Sequence, residues 1–446
     1  MPSATGEAPS EALSIDLYEL TMAETYFERG MDAPASFELF VRRLPPGRNF
    51  LIAAGLEQAL DFLETFRFTA DDRAHLATLA RTGQLSTEFV DRLGDVRFTG
   101  EAWAMPEGTV FFANEPLLRV TAPIGEAQLV ETRLINLLHL QTAVASKAAR
   151  AVLAARGRKL VDFGLRRAHG AEAGLYAARA AYVAGFDGTS NVQAGARFGL
   201  PVFGTMAHSF VQAHDDEEEA FEHFAVSHPR DVVLLIDTYD TEAAAQKVVA
   251  LAGRLGSRGI TVKAVRIDSG DLAAHARAVR GILDAGGLRE VAIVASSGLD
   301  ERDIDHLVRV GAPIDTFAPG TRIVTSFDAP YLDCAYKLVE YAGRPRLKRS
   351  EGKATYPGRK QVSRGLDGAG FIARDQLHLA DEPGDGAPLL ERVMSCGRRL
   401  VRAPLSEARR RAAESLATLP PALRELEPAA APPLEISRRL EDLRRG

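Results

Sequence analysis

Two runs of sequence decide the fold, VVLLIDTYD (Val232–Asp240) and VKAVRIDSG (Val262–Gly270). Each is a short, apolar, β-type run that ends in carboxylates, and the residues between the two runs have a helical pattern. A strand, a helix and a second strand in this order form the repeating unit of a parallel sheet. The two runs therefore predict an α/β domain.

Similar β-type runs recur on both sides of this pair, roughly every 20–30 residues, which is the spacing of successive βα units. They are KLVDFG (from Lys159), AYVAGFDG (from Ala181), PVFGTMAH (from Pro201), VAIVASSG (from Val291) and IDTFAPGT (from Ile314). A long, apolar helix from Glu126 to Arg156 precedes them. We predict an irregular (β/α) barrel-like domain over residues 131–340.

The flanking segments have a different pattern, and we expect them to form one α+β domain that packs with the barrel. Residues 15–130 begin with a helix over Ile15–Phe27, capped by Ser14. Next come a strand (Phe37–Leu44), a helical stretch (Leu51–Phe62) and short antiparallel strands (Glu101–Pro123). Residues 341–446 complete this domain and end in an Arg-, Ala- and Pro-rich tail to which no chemistry is assigned. Residues 1–14 are small and polar, so we expect a disordered lead-in.

Composition argues against several classes of protein. The 446 residues include 54 Lys and Arg against 60 Asp and Glu, a net charge of −6 that is too acidic and too evenly mixed for a nucleic-acid binder. No apolar run approaches the roughly 20 residues that cross a bilayer, and the opening residues lack the features of a signal peptide. Cys334 and Cys396 are far apart, which argues against a disulfide framework or structural zinc. We expect a cytoplasmic protein that binds neither nucleic acid nor membranes.

Polar residues end each of the seven β-type runs. In chain order they are Arg166 and Arg167; Asp187, Ser190 and Asn191; His208 and Ser209; Asp237 and Asp240; Arg266, Asp268 and Asp271; Ser296 and Ser297; Thr321 and Arg322. In a (β/α) barrel all these points lie on one rim, where such folds place their active sites. Helix capping by Asp and Ser explains about half of them, but not the arginines or the histidine.

The sequence lacks the Walker and G-x-G-x-x-G motifs for phosphate. The turns Gly188–Asn191 and Gly320–Thr321 are the remaining candidates, because their backbone N–H groups can hold a phosphate at a helix N-terminus. Four carboxylates on one rim repel one another unless a cation lies among them, which points to Mg²⁺ with a diphosphate or to a developing carbocation. They belong to Asp237, Asp240, Asp268 and Asp271.

Six blocks of sequence carry a family resemblance. They are DLYELTM (Asp16–Met22), DFGLRRAHG (Asp162–Gly170), GFDGTSNV (Gly185–Val192), GTMAHSF (Gly204–Phe210), IDSGDL (Ile267–Leu272) and SEGKATYPGRKQV (Ser350–Val362). Together, from about residue 13 to about residue 400, the chain resembles nicotinate phosphoribosyltransferase. The resemblance implies the type II phosphoribosyltransferase fold, an enzyme of NAD salvage and a homodimer with its active site at the interface.

The family's reaction joins nicotinate to phosphoribosyl pyrophosphate (PRPP) and gives nicotinate mononucleotide and pyrophosphate. It is coupled to ATP hydrolysis through a phosphohistidine. The resemblance makes His208 that histidine, with Asp237 and Asp268 as the carboxylates that orient it or hold Mg²⁺. ATP and PRPP are the implied co-substrates.

The resemblance also implies the contacts to nicotinate. Phe163 stacks on one face of the pyridine ring and Tyr18, from the second subunit, stacks on the other, while Arg166 lies beside the carboxylate. In the related nicotinamide enzymes an aspartate occupies the position of Ser190 and accepts from the carboxamide. Because Ser190 carries no charge and can donate, it favours nicotinate.

The residues that match the family's PRPP and phosphate contacts are Arg266, Asp268, Gly298, Gly320, Thr321 and Arg322. The basic segment 335–364 can be an anion site or a solvated β-hairpin, and composition alone favours the hairpin. The resemblance assigns three of its residues, Lys353, Arg359 and Lys360, to ATP or pyrophosphate.

Three other functions stay open at this point. A nicotinamide phosphoribosyltransferase of the same fold is disfavoured by Ser190. A quinolinate phosphoribosyltransferase is usually shorter and needs a more basic pocket for two carboxylates. A non-catalytic pyridine-nucleotide-binding regulator has no need of a phosphorylatable His208 beside a metal site.

Overall fold

The computed structural model describes residues 10–349 and 355–445. The chain divides into two compact units. We call Met1–Ala143 with Tyr331–Gly446 the terminal unit, and Val144–Pro330 the central unit. The boundaries between the units lie after residues 143 and 330, whereas the sequence pattern predicts them after residues 130 and 340.

The N-terminal part of the terminal unit alternates short strands and helices. After a 3-10 helix (Glu11–Leu13), its elements are α1 (Leu17–Glu28), β1 (Pro34–Val41), β2 (Leu51–Ile52), α2 (Leu56–Thr65), α3 (Ala70–Arg81), α4 (Thr87–Arg92), β3 (Glu101–Ala104), β4 (Val110–Phe111), β5 (Pro116–Pro123) and α5 (Ile124–Leu129). The long predicted helix is present as α5 and α6 (Glu131–Ala155), and α6 crosses the boundary between the units.

The first helix starts later than predicted. Helix α1 begins at Leu17 with Asp16 as its N-cap residue, whereas the sequence predicts a start at Ile15 after Ser14. The difference arises because Ser14 closes the 3-10 helix: its N–H donates to the carbonyl of Glu11.

The helix predicted from Leu51 is also shorter. Leu51 and Ile52 form β2, which pairs antiparallel with β4, and α2 begins only at Leu56. Gly55 separates the two elements with a φ of +97°, and a Cβ there would lie 2.6 Å from the carbonyl oxygen of Leu137. A right-handed helix does not pass through this backbone conformation, so it starts after the glycine.

The central unit contains a parallel sheet of six strands. Its elements are β6 (Lys159–Asp162), a 3-10 helix (Leu165–Arg167), α7 (Ala171–Ala184), β7 (Gly188–Thr189), α8 (Val192–Phe198), α9 (His208–Gln212), α10 (Glu217–Ser227), β8 (Val232–Leu235), α11 (Thr241–Gly256), β9 (Val262–Ile267), α12 (Leu272–Ala285), β10 (Ala292–Ala295), α13 (Glu301–Arg309), β11 (Thr316–Phe317) and α14 (Thr321–Val324). The strand order is β7-β6-β11-β10-β9-β8, and all pairs are parallel. The sheet curls into a half-barrel, which confirms the predicted barrel-like α/β fold.

Two of the seven predicted strands are wrong. The run from Ala181 is largely the end of α7, because its alanines continue the helix until Gly185, where φ is +126°. The strand that follows α7 is β7, which is only two residues long. The run from Pro201 forms a single bridge between Val202 and Thr189.

The C-terminal part of the chain returns to the terminal unit. Its elements are β12 (Cys334–Tyr341), β13 (Arg344–Pro345), β14 (Lys360–Leu366), β15 (Ile372–Leu379), β16 (Ala387–Pro388), β17 (Glu391–Ser395), β18 (Arg398–Arg399), α15 (Leu405–Ala417), α16 (Pro421–Arg424), β19 (Leu434–Ile436) and α17 (Arg438–Arg445). One antiparallel sheet, in the order β13-β12-β1-β5-β3-β17-β18, takes strands from both ends of the chain. A second sheet has the order β16-β14-β15-β19.

Both cysteines are free thiols, and burial raises the pKa of Cys334 to about 12. Across residues 10–349 and 355–445, no helix has the length and apolar character that a membrane crossing requires.

Candidate active site

Three strands of the central sheet end in a network of polar side chains. Asp237 follows β8, and its Oδ2 accepts from the backbone N–H of Asp268 (2.9 Å) and from the hydroxyl of Ser269 (2.6 Å). Asp268 directly follows β9, and its Oδ1 accepts from Ser296 at the end of β10 and from Arg266 (3.0 Å). The carboxyl ends of parallel strands thus meet at one point, as the sequence pattern predicts.

The surroundings of Asp268 keep it ionised. Burial raises the pKa of this carboxyl, but the hydrogen bond from Ser296 and the nearby Arg266 guanidinium outweigh burial, so the net pKa lies below the usual value. Asp268 is therefore a carboxylate at neutral pH.

His208 lies beside this carboxylate. It is the first residue of α9, and its Nδ1 lies 3.1 Å from the hydroxyl oxygen of Thr238. Its Nε2 lies 3.8 Å from Oδ2 of Asp268, and 39% of the side chain is exposed. One ring nitrogen is thus held by a hydroxyl while the other faces a carboxylate. Thr238 is not among the site residues predicted from the sequence, although its place in the run DTYD at a strand end is a signal for it.

The other two rim carboxylates are helix caps. Asp240 caps α11 by accepting from the N–H of Ala243 (2.8 Å). Asp271 caps α12 by accepting from the N–H groups of Ala273 and Ala274. The expected group of four acidic side chains around a cation is therefore reduced to two, Asp237 and Asp268.

Most of the donors of Arg266 are already in use. Its guanidinium donates to Ser296, to the hydroxyl of Thr205, to the carbonyl of Met206 and to Asp268, and only 11% of the side chain is exposed. Four such bonds leave little capacity for the predicted phosphate contact. In this structure Arg266 links the residues at the ends of β9 and β10 to Thr205 and Met206. Its guanidinium also lies over the ring of Phe163, 5.5 Å from the centroid.

Phe163 and Ser190, the predicted nicotinate contacts, lie at the ends of neighbouring strands. Phe163 follows β6, is half-buried and donates its N–H to the carbonyl of Pro319 (3.0 Å). Ser190 follows β7 and donates its N–H to the carbonyl of Asp162 (2.8 Å). Arg166 is exposed on the 3-10 helix that follows Phe163.

The predicted phosphate residues lie in two adjacent turns. A Cβ on Gly320 would lie 2.8 Å from the carbonyl oxygen of Phe163, so this position has room only for glycine. Thr321 accepts from Arg167 (3.2 Å). Arg322 donates to Asp300 and Asp303 at the start of α13. Gly298 is exposed in the turn after β10.

Tyr18 belongs to the terminal unit, on α1, with 47% of its surface exposed. The pKa of its phenol is raised by burial and by the carboxylates of Glu131, Glu19 and Asp16. The phenol is therefore protonated at neutral pH.

The basic segment is described from Thr355 onward, and Lys353 lies outside the described residues. Arg359 pairs with Glu340 (3.3 Å) and is 46% exposed. Lys360 is buried, and its Nζ donates to Glu38 and to the carbonyls of Tyr356 and Gly358. All three N–H groups of Lys360 are occupied, so in this structure it is an internal ion-pair partner with no donor left for ATP or pyrophosphate.

The two site carboxylates fit Mg²⁺. Oδ1 of Asp237 is buried and has no hydrogen-bond partner, which leaves one hard oxygen donor unused. Within the described residues, no cluster of three or more His, Cys, Asp or Glu side chains is arranged to hold a metal ion. Two carboxylates suit an ion that takes its other ligands from water and substrate phosphates, as Mg²⁺ usually does.

Two protein-family models match the chain. A family model described as the nicotinate phosphoribosyltransferase (NAPRTase) N-terminal domain matches residues 13–139. A second model, described as the nicotinate phosphoribosyltransferase (NAPRTase) family, matches residues 158–355.

Two bacterial relatives match most of the chain. Nicotinate phosphoribosyltransferase pncB2 of Mycobacterium tuberculosis is 53% identical over 420 residues, which cover 93% of this chain and 89% of the relative. Nicotinate phosphoribosyltransferase of Bacillus subtilis is 41% identical over 382 residues, which cover 84% of this chain and 77% of the relative.

Two crystal structures share the fold. Human nicotinic acid phosphoribosyltransferase matches with a TM-score of 0.87 and 31% identity, covering 96% of this chain and 99% of the human chain. Nicotinate-nucleotide pyrophosphorylase from Pyrococcus furiosus matches with a TM-score of 0.74 and 26% identity, covering 92% and 95%. The fold is therefore that of the type II phosphoribosyltransferases, as predicted. With both family models and relatives in agreement over most of its length, the chain belongs to the nicotinate phosphoribosyltransferase family.

Proposed function

We propose that this chain transfers the phosphoribosyl group of PRPP to nicotinate, giving nicotinate mononucleotide and pyrophosphate in NAD salvage. One observation carries the proposal. Asp237 and Asp268 meet at the ends of parallel strands, with His208 at the start of α9 beside them, in a chain that is 53% identical to a nicotinate phosphoribosyltransferase.

The pyridine ring binds between aromatic side chains. Phe163 covers one face, and Tyr18 from a second copy of the chain covers the other, each contributing about 1 kcal/mol beyond the burial of area. Arg166 is exposed and offers a planar pair of donors to the carboxylate. Ser190 is uncharged and donates, which admits a carboxylate where an acid would repel it.

The transfer step exchanges one bond at the anomeric carbon of PRPP. The bond to the pyrophosphate oxygen breaks, pyrophosphate leaves with the electron pair, and the pyridine nitrogen forms the new bond to carbon. Asp237 and Asp268 supply negative charge where positive charge develops on the sugar. These two carboxylates are also the residues that would hold Mg²⁺, which when bound neutralises charge on pyrophosphate.

ATP hydrolysis is coupled through His208. In the tautomer whose Nδ1–H donates to Thr238, the Nε2 lone pair is free to attack the γ-phosphorus. An N–P bond forms, the P–O bond to ADP breaks, and later attack of water on the phosphohistidine releases phosphate. The hydrogen bond to Thr238 keeps the ring in its attacking orientation. Asp268 lies 3.8 Å from Nε2 and stabilises the positive charge that the ring gains as the N–P bond forms.

The phosphates of PRPP bind at the turns that hold Gly298, Gly320, Thr321 and Arg322. Arg266 acts there mainly as a support, since most of its donors are occupied. Arg359 and Lys353 remain our candidates for ATP or pyrophosphate.

We further propose a cytoplasmic homodimer. A site that takes Tyr18 from a second copy is complete only in the dimer. The two free cysteines suit a reducing compartment.

A paired assay tests the function. Wild type and His208→Ala are given nicotinate or nicotinamide with PRPP and Mg²⁺, with and without ATP. We expect ATP to stimulate the turnover of nicotinate in the wild type and to have no effect on the variant. Faster turnover of nicotinamide would favour a nicotinamide phosphoribosyltransferase, and turnover of neither base would favour a non-catalytic pyridine-nucleotide-binding regulator.

A further inference from the structure

A buried hydrogen-bonded clamp joins the ends of β6 and β7. Oδ2 of Asp162 accepts from the hydroxyl of Thr189 (2.7 Å), and Oδ1 accepts from the N–H of Gly164 (2.8 Å). Asp162 is 1% exposed and Thr189 is 0% exposed. The two residues are also direct partners in the parallel strand pair. We call this pair the Asp162–Thr189 clamp.

On the β6 side, the clamp fixes the backbone around Phe163. Asp162 precedes Phe163 and Gly164 follows it, and the carboxylate bonds across the intervening residue to the glycine N–H. The backbone on both sides of the aromatic ring is thereby held to one carboxylate.

On the β7 side, the clamp fixes the backbone around Ser190. The hydroxyl of Thr189 donates to Asp162 and at the same time accepts from the N–H of Asn191 (3.0 Å). The N–H of Ser190 itself donates to the carbonyl of Asp162 (2.8 Å). Hydrogen bonds thus fix the backbone of Ser190 and both of its neighbours, Thr189 and Asn191.

The clamp resists adjustment because its carboxylate is buried. Burial raises the pKa of Asp162, and the hydrogen bonds from Thr189 and Gly164 oppose that effect. A buried carboxylate that loses one of two donors is left with an unpaired oxygen, so the neighbouring backbone has to move to satisfy it.

We propose that Asp162 and Thr189 are positioning residues for nicotinate: the clamp sets the separation between Phe163 and Ser190. A pyridine ring stacked on Phe163 then presents its carboxylate to Ser190. This inference rests on the proposed function and extends it to two residues that contact the substrate only through their neighbours.

Three variants separate positioning from general stability. Thr189→Val keeps the shape of the side chain and removes the hydroxyl, whereas Thr189→Ser keeps the hydroxyl. Asp187→Asn is the matched control, because Asp187 precedes the same strand and its Oδ2 accepts from the N–H of Leu160 at the other end of the pair. Thermal unfolding of each variant identifies the temperature at which all are folded, and kinetics are measured there.

We expect Thr189→Val to raise the KM for nicotinate about tenfold and to lower the preference for nicotinate over nicotinamide, with the KM for PRPP changed by less than about twofold. Thr189→Ser and Asp187→Asn should keep wild-type values. If Thr189→Val does not fold, Asp162→Asn carries the same expectation: an amide has only one accepting oxygen, so it cannot keep the bonds from both Thr189 and Gly164.

Equal changes in both KM values, or an equal effect of Asp187→Asn, would overturn the inference while nicotinate turnover by the wild type upholds the proposed function. A wild type that turns over neither base would overturn both.

Discussion

We expect the absence of charge at Ser190 to set the preference for nicotinate over nicotinamide. Ser190→Asp places a carboxylate beside the nicotinate carboxylate, and like charges this close cost more than 1.4 kcal/mol, so kcat/KM for nicotinate should fall at least about tenfold. The value for nicotinamide should fall much less. Both are measured from initial rates on the purified variant.

The matched control is Ser190→Asn, which adds similar bulk without charge. It should leave the ratio of the two substrates close to that of the wild type. Equal losses of nicotinate and nicotinamide activity in Ser190→Asp would remove charge as the explanation.

At the residue scale, the sequence predicts which side chains reach the rim but not what each one does there. Asp237 and Asp240 have the same spacing as Asp268 and Asp271, yet in each pair one carboxylate joins the site network and the other caps a helix. The distinction depends on hydrogen bonds to residues far apart in sequence. Arg266 is a second example, because its four partners come from three different segments.

At the scale of the element, the two carboxylates that follow β8 should separate stability from activity. Asp240→Ala removes the N-cap of α11 and should lower the free energy of unfolding by about 1 kcal/mol, with little change in kcat. Asp237→Asn keeps an accepting oxygen but loses the charge, and kcat/KM should fall about 100-fold. Urea unfolding and steady-state kinetics on both variants measure the two effects. Comparable losses of activity in the two variants would contradict these separate roles.

The junction of α1 with the first turn of α6 should make stability depend on pH. Glu19 is fully buried, and burial, with repulsion from Glu131 and Asp16, raises its pKa from 4.5 to about 7 despite the hydrogen bonds from Thr132. The folded state therefore holds this proton more tightly than the unfolded state. Its contribution, up to about 3 kcal/mol, is complete below pH 4.5 and is lost as the pH rises through 7.

Glu19→Gln mimics the protonated form, so the loss of stability between pH 5 and pH 8 should be smaller than in the wild type. Thermal and urea unfolding across this range measure the slope. Glu28→Gln, at the exposed end of the same helix, is the control and should keep the wild-type slope. An unchanged slope in Glu19→Gln would show that another group controls the pH dependence.

The sequence pattern predicts the long periodic helices and the apolar parallel strands, but it does not predict the shortest strands. The run from Ala181 has strand-like residues, but α7 before it is rich in alanine and continues through these residues until Gly185. The strand β7 has two residues, too few for any periodicity, and is held by its pairing with β6. Tertiary pairing therefore decides the edge of the sheet that carries Ser190.

For the whole molecule, the dimer proposal predicts recovery of activity by mixing two inactive variants. Tyr18→Ala lacks the aromatic face that we assign to the partner's site, and His208→Ala lacks the phosphorylated residue of its own site. Random exchange makes half of the dimers mixed, each with one intact site, so about a quarter of wild-type activity should return. Activity is measured after mixing under conditions that exchange subunits. No recovery despite proven exchange would place Tyr18 and His208 in the same subunit's site.

The shared sheet of the terminal unit has a consequence for synthesis of the chain. Strand β1 meets β5 early, but its other neighbour, β12, pairs Tyr341 with Ala35, 306 residues behind it. At 5–20 residues per second, a ribosome needs about 15–60 s to make the intervening chain. During that time one edge of β1 has no partner, and the whole central unit is made before β12 emerges. The N-terminal part therefore leaves the ribosome first and finishes folding last.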